Sequence, residues 1–499
     1  MSSASSLPLI QRALKQGDRL AIIDGVGRFR YTDLLTAADR ITGYLLKSQP
    51  DLGEARVAFM VPPSLEYAAV QWGIWQAGGV AVPLCPSHPL PEIEHIIRDT
   101  KAEVVVSHPD YASLLRSLSR GLKVRFLLTS EVSKAKKCPV PEITLDRRAM
   151  ILYTSGTTSK PKGVVTTHRN ILAQITSLIE AWEWTADDHV LHVLPLHHTH
   201  GIVNVLLCAL WAGAACEMLP QFDAKAVWSR FVHSDLTLFM AVPTIYIKLI
   251  AAWEKATREE QQVLSNACSK MRLMVSGSAA LPAAVFERWK AISGHTLLER
   301  YGMTEIGMAL SNPLHGERRP GFVGVPLPGV AVRLVDESAR TLEDEGQAGE
   351  IQVRGPHVFL EYMGQPEATA RAFRKDWFST GDEAVVDKGS YRILGRRSVD
   401  IIKTGGDKVS ALEIEEVLRN HPTIQECAVV GVKDQEWGER VCAAVILRPN
   451  DSLSLGSLRN WAKERLAKPK VPAQLLLLDE LPRNVMGKVN KLKLRKLFE

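Results

Sequence analysis

The sequence predicts an α/β protein with a large N-terminal domain of parallel sheets covered by helices, a small β subdomain, and a small α+β C-terminal domain on a hinge. Three observations support this. Helix and strand patterns alternate through the first part of the chain, short alternating strands dominate 330–353, and the composition changes near 395–400. Alternating strands and helices predict parallel sheets, because crossover helices cover the sheet faces.

The alternation is clearest in a helix at Tyr31–Leu46, whose apolar residues recur on one face. Further helices are predicted at 65–77, 93–99, 169–182, 227–232 and 245–253. Strands are predicted at 57–60, 80–82, 103–106, 189–194, 236–239 and 271–275. The apolar run 202–216 is too short to span a bilayer and predicts a buried helix.

The last hundred or so residues contain enough elements for a domain of their own. Helices are predicted at 412–420 and 457–466, with strands at 427–432 and 441–447. A chain of 499 residues is also too long for a single hydrophobic core. We therefore expect two domains, 1–394 and 395–499.

Composition excludes several classes of protein. The chain is 46% apolar and 23% charged, which is ordinary for a soluble globular protein. A net charge of +6, without a basic run that alternates with aromatic residues, suits small anionic substrates and gives no sign of nucleic-acid binding. Seven scattered cysteines without a CxxC pair argue against disulfides and zinc sites and for a reducing compartment.

No secretory signal and no integral membrane segment are evident. We expect a cytoplasmic protein, with the mitochondrial matrix as the alternative, and a monomer or weak oligomer.

A loop rich in small hydroxyl residues, glycine and lysine stands at 153–163, directly after the apolar run 149–152. Backbone N–H groups, hydroxyls and ammonium groups in such a loop bind phosphate oxygens. The loop is not a Walker A motif, because its lysines precede the second glycine and Val164 follows that glycine. It therefore predicts a phosphate-binding site of another kind.

Further motifs follow this loop in a fixed order. They are Ser276-Gly-Ser-Ala-Ala280, Tyr301-Gly-Met-Thr-Glu305, Ser379-Thr-Gly-Asp382, Gly395-Arg396, Lys403-Thr-Gly-Gly406 and Pro482-Arg-Asn-Val-Met-Gly-Lys488. Together with the loop they resemble the adenylate-forming superfamily of acyl-CoA synthetases, luciferases and peptide-synthetase adenylation domains. The resemblance covers essentially the whole chain. It implies the adenylate-forming fold, with ATP, Mg²⁺ and coenzyme A as the small molecules used.

The resemblance assigns nucleotide binding to residues from several motifs. They are Thr154, Ser155, Gly156, Thr157, Thr158 and Lys162 for the phosphates, Gly277, Ser278 and Ala279 for the adenine slot, Tyr301, Gly302 and Met303 around the adenine, and Asp382 and Arg396 for the ribose. An aromatic face suits a flat base, and a carboxylate accepts hydrogen bonds from ribose hydroxyls. Arg397 beside Arg396 leaves the register of that arginine open.

Catalysis is assigned to Lys488, Thr304 and Glu305. The resemblance places Thr304 at the α-phosphate and Glu305 as the ligand of Mg²⁺, a cation that prefers oxygen ligands. Lys488 would bridge the substrate carboxylate and the α-phosphate, where negative charge concentrates in the transition state. Gly405 and Gly406 would line the channel for coenzyme A.

Arg300, directly before Tyr301, points to the acid that is activated. A guanidinium at the acyl pocket suits a substrate with a second carboxylate. The stretch 294–311 is similar to malonyl-CoA synthetases, which implies that Arg300, His200 and Ser276 bind the substrate carboxylate. The alternative for Arg300 is a structural salt bridge with Glu299 or another acid.

The resulting hypothesis is ATP-dependent ligation of malonate to coenzyme A through an acyl-adenylate, releasing AMP and pyrophosphate, with methylmalonate left open as a second acid. Another short-chain or dicarboxylate acyl-CoA ligase is the alternative within the same superfamily. A catalytically silent nucleotide-binding homologue is the remote alternative, and the presence of Lys488 and Glu305 argues against it.

Overall fold

The structure is a computed structural model that describes residues 6–47, 49–132, 138–154, 161–483 and 489–498. Five residues of the predicted site lie outside the described residues: Ser155, Gly156, Thr157, Thr158 and Lys488. The chain divides into two compact units. The first is Met1–Ala331 with Val353–Phe378, and the second is Val332–Gln352 with Ser379–Glu499. The predicted domain division between 394 and 395 stays a prediction.

The first unit alternates helices with sheet strands, as the sequence predicts. Side-chain caps begin several of its helices; the Ser64 hydroxyl, for example, accepts a hydrogen bond from the backbone N–H of Tyr67. The α-helices are Pro8–Leu14, Tyr31–Leu46, Leu65–Gln76, Leu90–Asp99, Ala112–Leu122, Thr129–Val132, His168–Ala181, Cys208–Ala212, Ala224–His233, Pro243–Glu254, Arg258–Cys268, Ala283–Ser293 and Pro366–Ala372. A 3₁₀-helix spans Pro109–Tyr111 and a π-helix spans His200–Leu207.

One sheet of the first unit has seven strands, and its central strands pair in parallel. Their order is Glu361–Tyr362, Lys162–Thr167, Arg148–Thr154, Val80–Pro83, Arg56–Met60, Val104–Ser107 and Arg125–Leu128. The Arg148–Thr154 and Lys162–Thr167 strands are antiparallel. The phosphate-binding motif therefore begins and ends on two paired strands, and the sequence had indicated only the first of them.

The other sheet of the first unit carries most of the predicted acyl-pocket residues. Its strands, in order, are Phe322–Pro326, Gly307–Ser311, Leu298–Met303, Leu273–Ser276, Leu238–Ala241, His189–His192, Ala215–Met218, Leu20–Ile23 and Arg28–Arg30. The strands from Leu298–Met303 to Leu20–Ile23 pair in parallel. Ser276 is the last residue of its strand, so it lies at the carboxyl edge, where open parallel sheets bind ligands.

The predicted single helix at 202–216 is wrong in its second part. The π-helix His200–Leu207 continues into the short α-helix Cys208–Ala212, and the chain then enters the strand Ala215–Met218. Gly213 ends the helix with φ = 84°, a left-handed conformation that glycine adopts without a steric penalty. The apolar run therefore spans a helix and a buried strand, which hydrophobicity alone does not separate.

The second unit is rich in strands, and it has two hydrophobic clusters of its own. The strands Ala331–Val335, Gly349–Arg354, Trp377–Asp387 and Ser390–Arg396, most of whose residues belong to this unit, lie side by side in that order. The short strand Phe373–Arg374 belongs to the first unit and pairs with the start of Trp377–Asp387. A second sheet contains Asp407–Ser410, Ile401–Thr404, Gly438–Leu447, Ile424–Asp434 and Gln474–Leu477. The helices are Ala411–Leu418, Leu455–Lys463 and Lys491–Arg495, with a 3₁₀-helix at Lys468–Lys470.

No helix among the described residues combines the length and apolar character needed to cross a bilayer.

A buried lysine ties the segment 396–400 to the rest of the second unit. The Lys491 Nζ lies 2.7 Å from the Asp400 Oδ1 and 2.7 Å from the Glu415 Oε1. Asp400 also accepts a hydrogen bond from the Arg396 backbone N–H, and Glu415 accepts one from the Val429 N–H. Burial opposes the charge on Lys491, but Glu415 and Asp400 outweigh it and raise the Lys491 pKa.

We expect Lys491→Met to destabilise the second unit by about 3–5 kcal/mol, because Asp400 would then lack its cation and Glu415 would keep only Arg419. Urea unfolding measures this change. Lys493→Met, on the exposed side of the same helix, is the matched control and should change stability little. Because the Lys491 pKa is raised in the folded state, its contribution should be complete below about pH 10 and disappear as pH rises through that raised pKa. Equal unfolding midpoints for the two variants would contradict the role of Lys491.

Candidate active site

Arg300 is a buried arginine in the Leu298–Met303 strand, and it is 4% exposed. Its guanidinium lies over Gly277, which directly follows the parallel strand Leu273–Ser276. A Cβ atom at Gly277 would collide with the Arg300 Cζ. Glycine at this position therefore makes the space that the buried guanidinium occupies. The sequence had assigned Gly277 only to the adenine slot.

A hydrogen-bonded chain joins Arg300 to His200 through Ser278. The Arg300 Nη2 lies 3.2 Å from the Ser278 Oγ, which is also 3.2 Å from the His200 Nδ1. Ser278 has φ = 68°, an uncommon conformation for a residue with a side chain. Such local strain persists where the surroundings hold it, and here it places one hydroxyl between two buried side chains.

These hydrogen bonds also determine which ring nitrogen of His200 carries the proton. Arg300 can only donate, so the Ser278 oxygen accepts from it, and the Ser278 hydroxyl is left to donate to the His200 Nδ1. The proton of a neutral His200 is then on Nε2. Burial lowers the pKa of His200 well below its ordinary value, and the charge of Arg300 lowers it further. His200 is therefore neutral at physiological pH.

Two buried donors in the Arg300–Ser278–His200 hydrogen-bonded chain lack an acceptor among the described residues. Neither the Arg300 Nε nor the His200 Nε2 has a hydrogen-bond partner in the described part of the chain, and the Ser276 Oγ also has none there. The predicted alternative, a salt bridge between Glu299 and Arg300, is not found among the described ion pairs. The Glu299 Oε1 instead accepts a hydrogen bond from the Gly321 N–H. Burial alone lowers the pKa of Arg300 to about 9.

Asn204 is a further buried polar residue that the sequence reasoning did not assign to the site. It lies four residues after His200 in the π-helix and is fully buried, and neither its Oδ1 nor its Nδ2 has a partner within the described ranges. A buried amide without partners is costly. The sequence signal was the single amide in the apolar run 202–207, which had been taken only as a break in hydrophobicity.

The predicted site residues Tyr301, Thr304 and Glu305 lie on a tight β-hairpin. The strands Leu298–Met303 and Gly307–Ser311 are antiparallel, and 304–306 form the turn. Thr304 and Glu305 are therefore turn residues, while Tyr301 precedes a bulge at Gly302. A Cβ atom at Gly302 would collide with the Gly307 carbonyl oxygen, so the strands approach this closely only with glycine there.

Tyr362 connects the phosphate-loop strand to Glu305, and the sequence analysis missed it. The Tyr362 hydroxyl donates to the Glu305 Oε1 at 2.9 Å, and the Lys162 Nζ lies 4.8 Å from the Tyr362 ring centroid. Tyr362 pairs with Val164 on the Lys162–Thr167 strand, close to Thr154, which pairs with Lys162. A tyrosine far along the chain carried no local sequence signal for this contact.

The carboxyl group of Glu305 fits the predicted magnesium ligand. It is 6% exposed and is oriented by Tyr362. No group of three or more His, Cys, Asp or Glu side chains is placed to hold a metal ion in the described residues. A single protein carboxylate nevertheless suits Mg²⁺, which keeps waters and shares the phosphate oxygens of its substrate.

In the second unit, two arginine–carboxylate pairs distinguish Arg396 from Arg397. The Arg396 Nε donates to the Asp382 Oδ1 at 2.8 Å, across paired strands. The Arg397 Nε donates instead to the Glu383 Oε1 at 2.9 Å. The partner of the buried Asp382 is therefore not Arg397 but Arg396, the arginine assigned to the ribose.

The remaining predicted residues are placed as follows. Ala279 is exposed, and Met303 is the last residue of the strand before the hairpin turn. Gly405 and Gly406 lie between the Ile401–Thr404 and Asp407–Ser410 strands, and the Gly405 N–H donates to the Trp437 carbonyl oxygen at 2.9 Å.

The fold and these motifs define an adenylate-forming enzyme, and the chain belongs to the AMP-binding enzyme family. The family's main domain matches residues 9–363, and its C-terminal domain matches residues 413–488. The predicted fold class is confirmed. In this family, AMP-forming ligation of an acid to coenzyme A uses ATP and coenzyme A as substrates, and Mg²⁺ accompanies the ATP.

Individual relatives are similar over nearly the full length. Human "Malonate–CoA ligase ACSF3, mitochondrial" is 48% identical, and the alignment covers 98% of this chain and 92% of the human protein. The solved structure of ATP-bound MatB from Rhodopseudomonas palustris is 33% identical, with a TM-score of 0.91 and 99% of both chains covered. A malonyl-CoA ligase product complex with methylmalonyl-CoA and AMP is 37% identical, with a TM-score of 0.69, covering 94% of this chain and 97% of that one.

We expect Tyr362→Phe to raise the Mg²⁺ concentration for half-maximal ATP turnover by about 10- to 150-fold, since a hydrogen bond to a charged group contributes about 1.5–3 kcal/mol. The measurement is ATP turnover against Mg²⁺ concentration. Tyr44→Phe is the matched control, because the Tyr44 hydroxyl also donates to a glutamate, the exposed Glu131. An unchanged Mg²⁺ dependence in the Tyr362 variant would show that the tyrosine does not orient Glu305.

Proposed function

We propose that the protein ligates malonate to coenzyme A, using ATP and passing through malonyl-adenylate. The observation that carries the proposal is the pair of buried donors without acceptors, the Arg300 Nε and the His200 Nε2. The names of the relatives support it, since one is a malonate–CoA ligase and another a malonyl-CoA ligase product complex.

A second carboxylate is the group that this pair of donors fits. Arg300 is buried and has no ion-pair partner among the described acids, so a bound anion would compensate its charge. A guanidinium fork binds a carboxylate with two parallel hydrogen bonds. The neutral His200 adds an N–H donor, and the hydroxyl of Ser276 adds a third polar group. Monocarboxylic acids would leave the guanidinium unpaired.

Methylmalonate is the second candidate acid, because the product complex among the similar structures contains methylmalonyl-CoA. Another short-chain or dicarboxylate acyl-CoA ligase remains the alternative. A pyrophosphate-release assay with malonate, methylmalonate, succinate, acetate and a fatty acid decides between them. Higher kcat/KM for succinate than for malonate would replace malonate with the longer diacid.

In the first half-reaction, the free carboxylate of malonate attacks the α-phosphorus of ATP and pyrophosphate leaves. Glu305 would hold Mg²⁺, which neutralises phosphate charge, and Thr304 would donate to the α-phosphate. The loop residues from Thr154 to Lys162 would bind the phosphates that leave. Tyr301 would stack on adenine, and Asp382 with Arg396 would bind the ribose. Lys488 would stabilise the charge that develops between the two reactants.

In the second half-reaction, the thiol of coenzyme A displaces AMP from the acyl carbon. We propose that 395–499 acts as a mobile domain that withdraws Lys488 and presents Gly405 and Gly406 to the pantetheine chain. This assignment rests on the motifs of the family.

The compartment and the oligomeric state are also proposals. The sequence favours the cytoplasm, and the name of the human relative, which is called mitochondrial, favours the alternative of the mitochondrion. Subcellular fractionation decides between these two places. We expect a monomer or weak oligomer, which light scattering over a range of concentrations measures.

We expect Arg300→Ala to lower kcat/KM for malonate by about 10²–10⁴-fold, because the distal carboxylate would lose a buried partner contributing about 3–5 kcal/mol. Activity with acetate or propionate should change far less, since neither acid has that carboxylate. Arg300→Lys is the control, because lysine keeps the positive charge but lacks the planar guanidinium fork. Equal losses for malonate and acetate would rule out the proposed role.

We expect Lys488→Ala to abolish adenylate formation while sparing thioester formation from supplied malonyl-adenylate. The lysine would stabilise the first transition state only. Single-turnover assays of each half-reaction measure this, and Lys496→Ala, an exposed lysine near the C-terminus, is the control. Loss of both half-reactions in equal measure would contradict a mobile domain that exchanges catalytic groups.

A further inference from the structure

Asn204 and His192 are two fully buried polar residues to which the proposed function gives no role. The Oδ1 and Nδ2 of Asn204 and the Nδ1 of His192 have no hydrogen-bond partner in the residues that the structure describes. The other ring nitrogen of His192, Nε2, lies 3.0 Å from the Gly201 carbonyl oxygen. His192 therefore contacts the same π-helix that carries Asn204.

The first turn of this helix is fixed on two sides. The Gly201 carbonyl oxygen accepts a hydrogen bond from His192, the last residue of its strand. The neighbouring His200 is joined to Arg300 through the Ser278 hydroxyl. The turn at 200–201 is thus shared by His192 and by the groups proposed to bind the second carboxylate of the acid.

Helix geometry places the Asn204 side chain over this turn. A helical side chain covers the turn that precedes its own Cα, and residues four apart lie on one face of a helix. Asn204 follows His200 by four residues, so its amide lies over the turn that contains His200 and Gly201. Because Asn204 is fully buried, this amide faces the interior at the acid site and not solvent.

The two buried residues differ in the hydrogen bonds that they can make. A carbonyl oxygen only accepts, so the His192 Nε2 donates to Gly201 and the Nδ1 of the neutral ring is left as an acceptor. Burial lowers the pKa of His192 to about 4, which keeps the ring neutral at physiological pH. Asn204 offers a donor in its Nδ2 and an acceptor in its Oδ1.

These roles orient the amide of Asn204. A carboxylate accepts hydrogen bonds but cannot donate, so a carboxylate bound by Arg300 and His200 takes the Nδ2 side. The Asn204 Oδ1 and the His192 Nδ1 are both acceptors and need a donor between them. Water supplies two donors, and it occupies buried sites that offer it two to four polar partners.

We infer that Asn204 is a specificity-determining residue for the acid, an inference that rests on the proposed ligation of malonate. Its Nδ2 donates to the distal carboxylate, and a water between its Oδ1 and His192 closes the polar end of the pocket. Arg300 compensates the charge of that carboxylate, whereas Asn204 makes the end of the pocket polar. An acid that ends in methyl groups leaves the amide unpaired and is rejected for this second reason.

The test compares malonate with 3-methylbutanoate, in which two methyl groups replace the distal carboxylate oxygens, in a pyrophosphate-release assay. The nearly isosteric Asn204→Leu should lower kcat/KM for malonate about 10- to 150-fold, the range for one hydrogen bond to a charged group. The kcat/KM for 3-methylbutanoate should not fall, and the KM for ATP should not change. Asn204→Ser keeps a donor and an acceptor, so it should lose less activity on malonate than the leucine variant.

Thermal unfolding separates this role from a structural one. An apolar side chain in place of a buried amide without partners is neutral or stabilising, so the Tm of Asn204→Leu should equal or exceed that of wild type. Gln71→Leu is the matched control, because Gln71 is also fully buried and its Oε1 has no partner among the described residues. It lies in the Leu65–Gln76 helix, away from the acid site, and should leave the ratio of the two acids unchanged.

Unchanged malonate kinetics in Asn204→Leu, or equal losses on the two acids, would overturn the inference, and so would an equal change of the acid ratio in Gln71→Leu. If wild type prefers succinate to malonate, the proposed function fails. The same comparison of succinate with 4-methylpentanoate then still tests Asn204. A wild-type preference for the two methyl-ended acids would overturn both.

Two further measurements need no turnover. Calorimetric titration of malonate should show weaker binding to Asn204→Leu than to wild type, and equal binding would contradict the role of Asn204. A crystal structure of the malonate complex should show the Asn204 amide at hydrogen-bonding distance from a distal carboxylate oxygen, with a water between Asn204 and His192. An amide turned away from the acid, or no water there, would contradict the proposed arrangement.

Discussion

A guanidinium buried without a carboxylate partner among the described residues is the constraint on which the candidate site depends. An uncompensated buried charge is costly, so the surroundings of Arg300 are built to hold it. Gly277 provides the space, Ser278 provides an acceptor from a left-handed backbone conformation, and His200 completes the chain as a neutral imidazole. The charge that destabilises the free protein is the one that a dicarboxylic acid would neutralise.

The pairing of the β-strands determines where the buried Arg300 lies. Two neighbouring strands are parallel. The first ends at Ser276, and the second runs through Arg300 and then turns back in the hairpin that carries Thr304 and Glu305. Arg300 and Tyr301 on this strand and Glu305 in its turn, the residues proposed to bind the acid, the adenine and the metal, therefore lie within a few positions of one another. Tyr362 joins this hairpin to the strand that follows the phosphate-binding loop.

Sequence reasoning named Glu305 and Asp382 because the motifs that contain them resemble those of the adenylate-forming superfamily, and it named Arg300 because a guanidinium suits a second carboxylate. The roles of all three residues stay predictions. The reasoning failed at 202–216, where an apolar run fits a helix and a buried strand equally well. It missed Tyr362, whose contact with Glu305 joins residues 57 positions apart, and it gave Ser278 only to the nucleotide.

The sequence by itself determined the α/β class and the order of the motifs, because periodicity and motif spacing are local properties of the chain, and the resemblance of those motifs to the adenylate-forming superfamily indicated the family. Only the tertiary structure decided that Arg300 has no described acidic partner and that Arg396 rather than Arg397 meets Asp382. Each of these depends on which strands pair and in what register. Pairing is set by the burial of whole sheet faces, which no local stretch of sequence specifies.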